Sequence, residues 1–558
     1  MAGATNTTAG ILSGSWALAT ATYSADVIVY GLTPGGMTAA YEARRQGLSV
    51  IAVSGWRERR LGGMTTGGLG NSDMGRGNAF GGLSRRFFRD ANLLIGRVDD
   101  GVTYPFSSDF GPETARSVFE SWCVQMGIQV IYTSGVDIVY KTGTVINSIR
   151  TVDGKTFAGK AFIDSSYEGD LLAKAGCSYI VGREAANSDN PQNGYTGPQS
   201  IGIRALVDPF VTPGNPASGL IYGVNSIPAL AIGAADGATQ AFCFRQTVVT
   251  SAHAADYAPM PTTPPRNYDP ARYEMIGRYL DAIAVAGLTP AISDVLGNIA
   301  GVEGWIMDIN SGGLMSLDNA GMNWGYPDGT YAQREVIWQQ HIDYQRGFWH
   351  HMQWSTDPRI VNSGLQATMR LYGYSSKSYL SGTHPDDPAF WSAALYVREA
   401  RRLITDFPSF TLADQTMVDG TTPRSTNTIA VGNYVTDSHG AQRLATFNGT
   451  RWAVQYEGVA GQQPGGVNQQ YPIPYEIAIP KRAECTNLWV TFCLAGTHSA
   501  FSSLRMEPVH MVVGQACGMG ASIAIKNSLA AQDVPGATLR SSLLAAPDPV
   551  APLLPQVN

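Results

Sequence analysis

Apolar and polar positions alternate along this chain as strands and helices at both ends, and that rhythm loosens in the middle. Asp26-Val-Ile-Val-Tyr30 is an apolar, β-branched run, the pattern of a strand buried on both faces. A glycine turn follows, Gly31-Leu-Thr-Pro-Gly-Gly36. The helix predicted next, Met37–Gln46, carries Ala39, Ala40 and Ala43 on a face small enough to lie close to a sheet. Gly47 stops it, and Leu48–Val53 is the second strand. Residues 79–95 and Pro112–Gly127 read as helices. The second has Pro112 in its first turn and Val118, Trp122 and Met126 at helical spacing. Short strands are expected at 128–132, 136–140, 145–150 and 155–164, a meander that rejoins the main sheet at Ala161–Ile163. From 206 to 425 the chain is rich in Pro, Trp and Tyr, with a long helical pattern from Tyr331 to Met352. Strand texture returns at Asn487–Leu494. After a loop from Ala495 to Pro508, a helix rich in small residues is predicted over His510–Lys526.

Strand, glycine turn, helix and strand in that order make the first half of a dinucleotide-binding, Rossmann-type fold. The turn presents backbone N–H groups and the helix adds its positive dipole end, together a seat for a pyrophosphate. Two positions depart from the usual G-x-G-x-x-G pattern and its acidic follower. Thr33 replaces the middle glycine, where its Cβ holds the phosphates slightly further out and its hydroxyl offers a hydrogen bond. Ser54 ends the second strand, where a carboxylate would hold a ribose more firmly by roughly 1 kcal/mol. Eight residues later comes a second glycine-rich loop, Gly62-Gly-Met-Thr-Thr-Gly-Gly-Leu-Gly70. Backbone free of Cβ atoms so soon after the ribose position suits an extended FAD rather than NAD. No second strand-plus-glycine turn of this kind follows, so NAD(P)H held in a domain of its own is not expected.

The 558 residues give room for two or more domains. A charged fraction of 15% and a net charge of −6 offer nothing to attract nucleic acid or an anionic membrane. No run approaches the ~18 apolar residues of a transmembrane helix. The six cysteines are scattered without a CxxC pair and read as buried thiols, neither a metal site nor a disulfide framework. Residues 1–24 hold no Lys or Arg, so the basic start of a secretory signal is missing, and the compartment stays open between cytoplasm and export. Asn6-Thr-Thr8 and Asn448-Gly-Thr450 match the glycosylation acceptor pattern.

Later segments extend the picture. Tyr30-Gly-Leu-Thr-Pro-Gly-Gly36, Leu61-Gly-Gly-Met-Thr-Thr-Gly-Gly68, Phe162-Ile-Asp-Ser-Ser-Tyr-Glu-Gly-Asp-Leu171 and Val181-Gly-Arg-Glu184 occur in that order. They are followed by Ala241-Phe-Cys-Phe-Arg245, Asp318–Gly329, Tyr396-Val-Arg-Glu-Ala-Arg-Arg402, Asp437-Ser-His439, Pro480–Leu488 and Ser503-Leu-Arg-Met-Glu-Pro508. In this succession the chain resembles the FAD-dependent oxidoreductase family of glutathione-reductase-like flavoproteins, some of which go under the name xanthan lyase. The likeness covers about 25–205 and 300–530. It implies an α/β fold: a Rossmann-type FAD-binding domain of the glutathione-reductase kind with an inserted α+β substrate domain. The division expected is an N-terminal extension over 1–24, the FAD-binding domain in two parts over 25–205 and 426–535, the insert over 206–425, and a Pro-rich tail over 536–558. FAD would be held noncovalently. Gly31, Thr33, Gly35 and Gly36 would meet the pyrophosphate, Ser54 the adenosine ribose, and Gly62, Gly63 and Met64 would follow the cofactor inward. The Val136 backbone would face the adenine and Asp164 would lie near the pyrophosphate end. Met506 and the start of the helix bearing Gly514, Gln515 and Gly518 would lie near the flavin. Thr33, Ser54 and Cys243 depart from the family's commoner residues.

A flavin takes hydride at N5, and the charge left at N1/O2 needs a helix N-terminus or an arginine beside it. Removing a proton from the substrate's hydroxyl or amine calls for a histidine first. Of eight histidines, only His439 and His498 fall in segments the resemblance places near the flavin, and His498 follows a strand end, where open α/β sheets keep ligands. His439, His498 and Arg505 are therefore the catalytic candidates, with Arg245 and Asp437 as substrate contacts. Each has a structural alternative: a turn staple between His439 and Asp437, an Arg505–Glu507 pair, an anchoring role for Arg245. Glu168 and Asp170 are expected to fix the loop under the cofactor. His350-His351 is not a metal site, since adjacent helical residues point about 100° apart. Trp338, His341, Tyr344 and Phe348 read as core before they read as a sugar platform. The function expected is hydride transfer between flavin and a small polar substrate bearing a hydroxyl or amine, carbohydrate-derived molecules included. The electron acceptor (oxygen, a quinone or a protein) and the oligomeric state stay open. The alternatives are a polysaccharide lyase or carbohydrate-binding protein, or a non-redox flavin-dependent isomerase.

Overall fold

The computed structural model describes residues 23–75, 80–97, 108–200, 203–297, 299–302, 304–310, 316–380, 384, 387–415, 427–459 and 470–548. The Asn6 motif, most of the N-terminal extension and the end of the tail lie outside the described residues.

The apolar runs become a five-stranded parallel sheet. Its strands are β1 (Val27–Tyr30), β2 (Val50–Val53), β3 (Gln129–Ile131), β4 (Ala161–Asp164) and β5 (Leu488–Val490), in the order β5-β4-β1-β2-β3. Tyr30 lies in register with Val53 on one side and Asp164 on the other, so the ends of three strands open at one level. Strands β1, β2, β4 and β5 are buried at every residue, which is why they show no alternation. Beyond β3 the expected meander forms from Val136–Thr142, Val145–Thr151 and Thr156–Ala158, with Tyr23–Ser24 added at its edge.

Helix α1 (Pro34–Arg45) begins three residues before its apolar pattern does. Thr33 is its cap: Oγ1 accepts from Gly36 N at 3.3 Å and donates to the Ser165 carbonyl at 2.8 Å, while Pro34 fits the first turn. Helix α2 (Tyr331–Trp354) opens on a reciprocal Thr330–Gln333 capping box. Helix α3 (Glu507–Asn527) starts at Glu507 rather than His510, with Met506 at its cap.

The start of α3 corrects three expected cofactor contacts. Gly514 and Gly518 lie well inside the helix, and their bare Cα atoms let α3 press onto α1. A Cβ on Gly514 would meet the Gly35 carbonyl and Thr38 Oγ1, and one on Gly518 the Ala39 carbonyl. Gln515 is likewise structural, accepting from Leu83 N at 2.8 Å and donating to Glu42 at 3.1 Å. Burial on all sides explains why α3 is apolar all round.

Between residues 246 and 375 a second five-stranded sheet forms, in the order Tyr257–Ala258, Tyr372–Ser375, Gln246–Thr250, Met307–Ile309, Ile299–Gly301, every pairing antiparallel. Trp338, His341, Tyr344 and Phe348 are buried. Asn225–Ser226 pairs in parallel with Gln442–Phe447, so chain on either side of residue 425 shares one sheet. Two helices stand where loops were expected, His498–Leu504 and Gly536–Ala545. The second forms because Leu539 and Leu543, one turn apart, are both buried.

Candidate active site

The loops that follow β2 and β4 open on a cleft of about 50 Å³, lined by Gly55–Arg60, Gly63, Gly67, Ser166–Glu168, Trp338 and Ala393–Leu395. Gly31 has φ +101°, and a Cβ there would lie 2.5 Å from Ser165 C and Ser166 N. A Cβ on Gly35 would lie 2.7 Å from Thr491 Oγ1, and one on Gly36 would strike the Gly31 carbonyl. The three glycines thus let the β1–α1 turn close against the ends of β4 and β5. Gly62 and Gly63 both have positive φ, and Gly63 leaves room for the Tyr167 hydroxyl, to which Met64 N donates at 2.7 Å.

Ser54 does not face the cleft. Its Oγ accepts from Thr133 N at 2.8 Å and donates to the Thr133 carbonyl. Glu58 lines the cleft instead, its Oε2 accepting from Leu32 N at 2.8 Å and Gly55 N at 2.7 Å. Burial pushes its carboxyl up to about 7. Sequence reading missed it because the loop after β2 doubles back before delivering its acid. The only signal was a Glu among three arginines just ahead of the second glycine loop.

Two more expected contacts have other partners. Val136 N donates to Tyr30 OH at 3.1 Å and its carbonyl accepts from Tyr331 OH at 2.9 Å, with Trp56 stacked on Tyr331, so neither backbone group is free for a base edge. Asp164 accepts from Ser166 N, Ser166 Oγ and Leu172 N, shaping its own turn, and burial raises it to about 6. Asp170 binds Arg334 and Arg401, both at 2.8 Å, and Glu168 accepts from Tyr326 OH, the loop-fixing roles expected. Behind the Gly63 turn, Glu507 accepts from Tyr167 OH at 2.9 Å and Thr65 Oγ1 at 3.1 Å, and burial raises it to about 8.

A second group gathers where the loop 434–439 meets the insert. Arg505, 1% exposed, donates to Tyr396 OH at 2.8 Å and to the Asp437 carboxylate at 3.0 Å, not to Glu507. Burial opposes the charge on Asp437, but Arg505, then His439 and Arg398, hold its carboxyl below the usual range. His439 Nδ1 lies 2.7 Å from Asp318 Oδ2, which Arg398 flanks. Burial, with Arg398, lowers its pKa, so the ring is neutral at pH 7, donates through Nδ1 and leaves Nε2 as an acceptor. Arg245 is a correction: its guanidinium is forked onto Asp308 of the strand Met307–Ile309, so its charge is matched there rather than free for a substrate carboxylate. His498 is buried and set apart, its Nδ1 2.9 Å from both Glu399 oxygens. Its ring is linked to the group on loop 434–439 through Glu399, which accepts from Gln240 N at 3.4 Å, Gln240 Oε1 in turn accepting from His439 N.

The sequence model of the family described as FAD dependent oxidoreductase matches residues 26–543. The chain belongs to that family. FAD is accordingly its cofactor, and the glycine turn, Glu58 and the Gly63 loop supply what a dinucleotide needs: close backbone, N–H groups at a helix start and a carboxylate. No curated protein matches the chain in sequence. Among solved structures it is similar to OxyS anhydrotetracycline hydroxylase from Streptomyces rimosus, at 13% identity and TM-score 0.21 over 29% of this chain and 35% of that one. It is similar also to thioredoxin reductase from Streptococcus pyogenes MGAS5005, at 21% identity and TM-score 0.17, over 30% of this chain and 40% of that one. A flavin-containing monooxygenase from Stenotrophomonas maltophilia matches at 17% identity and TM-score 0.19, over 29% and 43%. The chain thus spans less than half the length of each of these structures.

Proposed function

We propose that this FAD-dependent oxidoreductase has a glutathione-reductase-type cofactor domain, holds FAD extended and noncovalently, and oxidises a C–OH or C–N bond in a small polar molecule. When bound, FAD supplies a two-electron acceptor at N5. The observation that carries the reading is the neutral His439–Asp318 pair beside Asp437 and Arg505, an acceptor nitrogen on a partly open loop. His439 takes the substrate's proton through Nε2, Asp318 orients the ring, and Arg505 with Tyr396 holds the surrounding carboxylate in place. His498 acts as a positioning residue through Glu399. Glu58, in place of Ser54, binds the ribose hydroxyls, and the α1 N-terminus faces the pyrophosphate. The test is an anaerobic screen of sugars, amines and hydroxy acids for bleaching of the flavin absorbance. A flavin-loaded protein that none of them bleaches, or that cleaves uronate polymers instead, would overturn the reading.

Two expected results follow from these roles. His439→Ala should retain FAD yet slow anaerobic flavin reduction on the order of 10²-fold, whereas His498→Ala should slow it less. Equal rates for His439→Ala and wild type would remove His439 from the reaction. Glu58→Ala should raise the FAD dissociation constant roughly tenfold, as loss of charge-assisted bonds to a sugar predicts, while Ser54→Ala leaves it close to wild type. Equilibrium dialysis against free FAD reads both.

A further inference from the structure

The donors around loop 434–439 outnumber the acceptors they can reach. Arg505 spends Nη1 on Tyr396 OH at 2.8 Å, and Nη2 on the Asp437 carbonyl at 2.7 Å and carboxylate at 3.0 Å. Among the described residues its Nε–H has no acceptor, although the side chain is buried. Thr436, the residue before Asp437, is buried too, and its hydroxyl has no partner among them. Tyr396 OH takes the bond from Arg505, and no described residue accepts its own proton. Buried donors left unpaired are costly, so an acceptor from outside the chain belongs here. Tyr434, Asp437 and His439 are partly exposed, which puts the group at an opening.

The charges agree with this reading. Arg245 is matched by Asp308, Arg505 by Asp437 and Arg398 by Asp318, whose carbonyl also accepts from the buried Arg443. The fourth carboxyl is Asp73, which accepts from Tyr434 OH at 3.1 Å. Burial, with Asp437 beside it, pushes Asp73 up toward its neutral form. The opening can therefore admit one negative charge from outside.

We propose that Arg505 Nε, the Thr436 hydroxyl and the Tyr396 hydroxyl seat a carboxylate of the substrate, and that the substrate class is small carboxylic acids bearing the oxidisable hydroxyl or amine. The inference rests on the functional reading given above and narrows it. An ionised carboxylate only accepts, offers two oxygens to these donors and stands in for the charge that Asp73 gives up. A lone ammonium brings further donors to a place already short of acceptors, and a neutral polyol brings a proton with every oxygen. His439, two residues beyond Asp437 on the same loop, keeps Nε2 for the proton of the hydroxyl or amine.

The test uses the FAD-loaded protein at pH 7 with pivalate, pivalamide and tert-butylammonium. None has a hydrogen on the carbon bearing the polar group, so none can be oxidised there. Their dissociation constants are read by isothermal titration calorimetry. Wild type should bind pivalate about tenfold or more tightly than pivalamide, and show no heat with tert-butylammonium. Thr436→Val, close in shape but without the hydroxyl, should lose about tenfold in pivalate affinity, and Thr436→Ser should retain it. The ammonium bound as tightly as pivalate, pivalate bound no better than the amide, or Thr436→Val with wild-type pivalate affinity would each overturn the proposal. The wild-type ranking decides it even where Thr436→Val fails to keep its flavin. These binding constants do not depend on turnover, so a failure here is distinct from a flavin that no substrate bleaches.

Discussion

Gly514→Val is expected to abolish the native fold or lower its melting temperature severely, with no FAD retained. The position packs backbone to backbone: the new Cβ would enter the Gly35 carbonyl and Thr38 Oγ1, and no flexible side chain is there to give way. Overpacking in a rigid core costs about 1–3 kcal/mol when neighbours can shift, and more where the obstacle is main chain. The damage would pass straight to the β1–α1 glycine turn, because Gly35 belongs to both that turn and the α3 contact. Gly514→Ala should show a smaller effect in the same direction. Soluble Gly514→Val protein with full flavin content and an unchanged melting curve would mean that α1 and α3 do not meet there. Circular dichroism and the absorbance of released flavin give both readings.

Glu507→Gln is expected to flatten much of the pH dependence of stability between about 4.5 and 8. Burial raises the native carboxyl to about 8, against an ordinary value of 4.5. Between these values the unfolded chain has released this proton and the native protein still holds it. Stability therefore falls as pH rises through that window, by about 1.4 kcal/mol per pH unit, and the deficit is constant above it. The total is on the order of a few kcal/mol. Glutamine keeps an oxygen for Tyr167 and Thr65 but cannot ionise. Wild type and variant should thus unfold at similar urea concentrations at pH 4.5, with the variant the more stable at pH 9. Parallel pH profiles for the two proteins would show that Glu507 titrates normally.

Local pattern was enough for the β1–α1–β2 unit, the Pro112–Met126 helix with its Gly127 stop, the meander and the long α2 helix. These depend on hydrophobic period, caps and glycines, which act over a few residues. Boundaries moved where a cap outranked the apolar pattern, as Thr33 did for α1 and Met506 for α3. The helix at His498–Leu504 was hidden because its polar residues are buried between two distant segments, where Glu184 accepts from His498 N and Asn193 from Ser499 N. The candidate site was legible in its residue types and less so in its partners. Arg245 and Arg505 are both buried, and Asp308 and Asp437 decide what each arginine can still bind.

The sequence alone determined that a strand, a glycine turn, a helix and a second strand would follow one another, the order of a dinucleotide-binding unit. That order follows from hydrophobic period and backbone freedom, which need no distant partner. Tertiary structure alone decided that Ser54 turns to Thr133 while Glu58 folds back on Leu32 N, that Gly514 and Gly518 serve helix packing, and that Asp308 takes the charge of Arg245. Charge balance and close approach are sums over groups that lie hundreds of residues apart in the chain, and only folding brings their terms together.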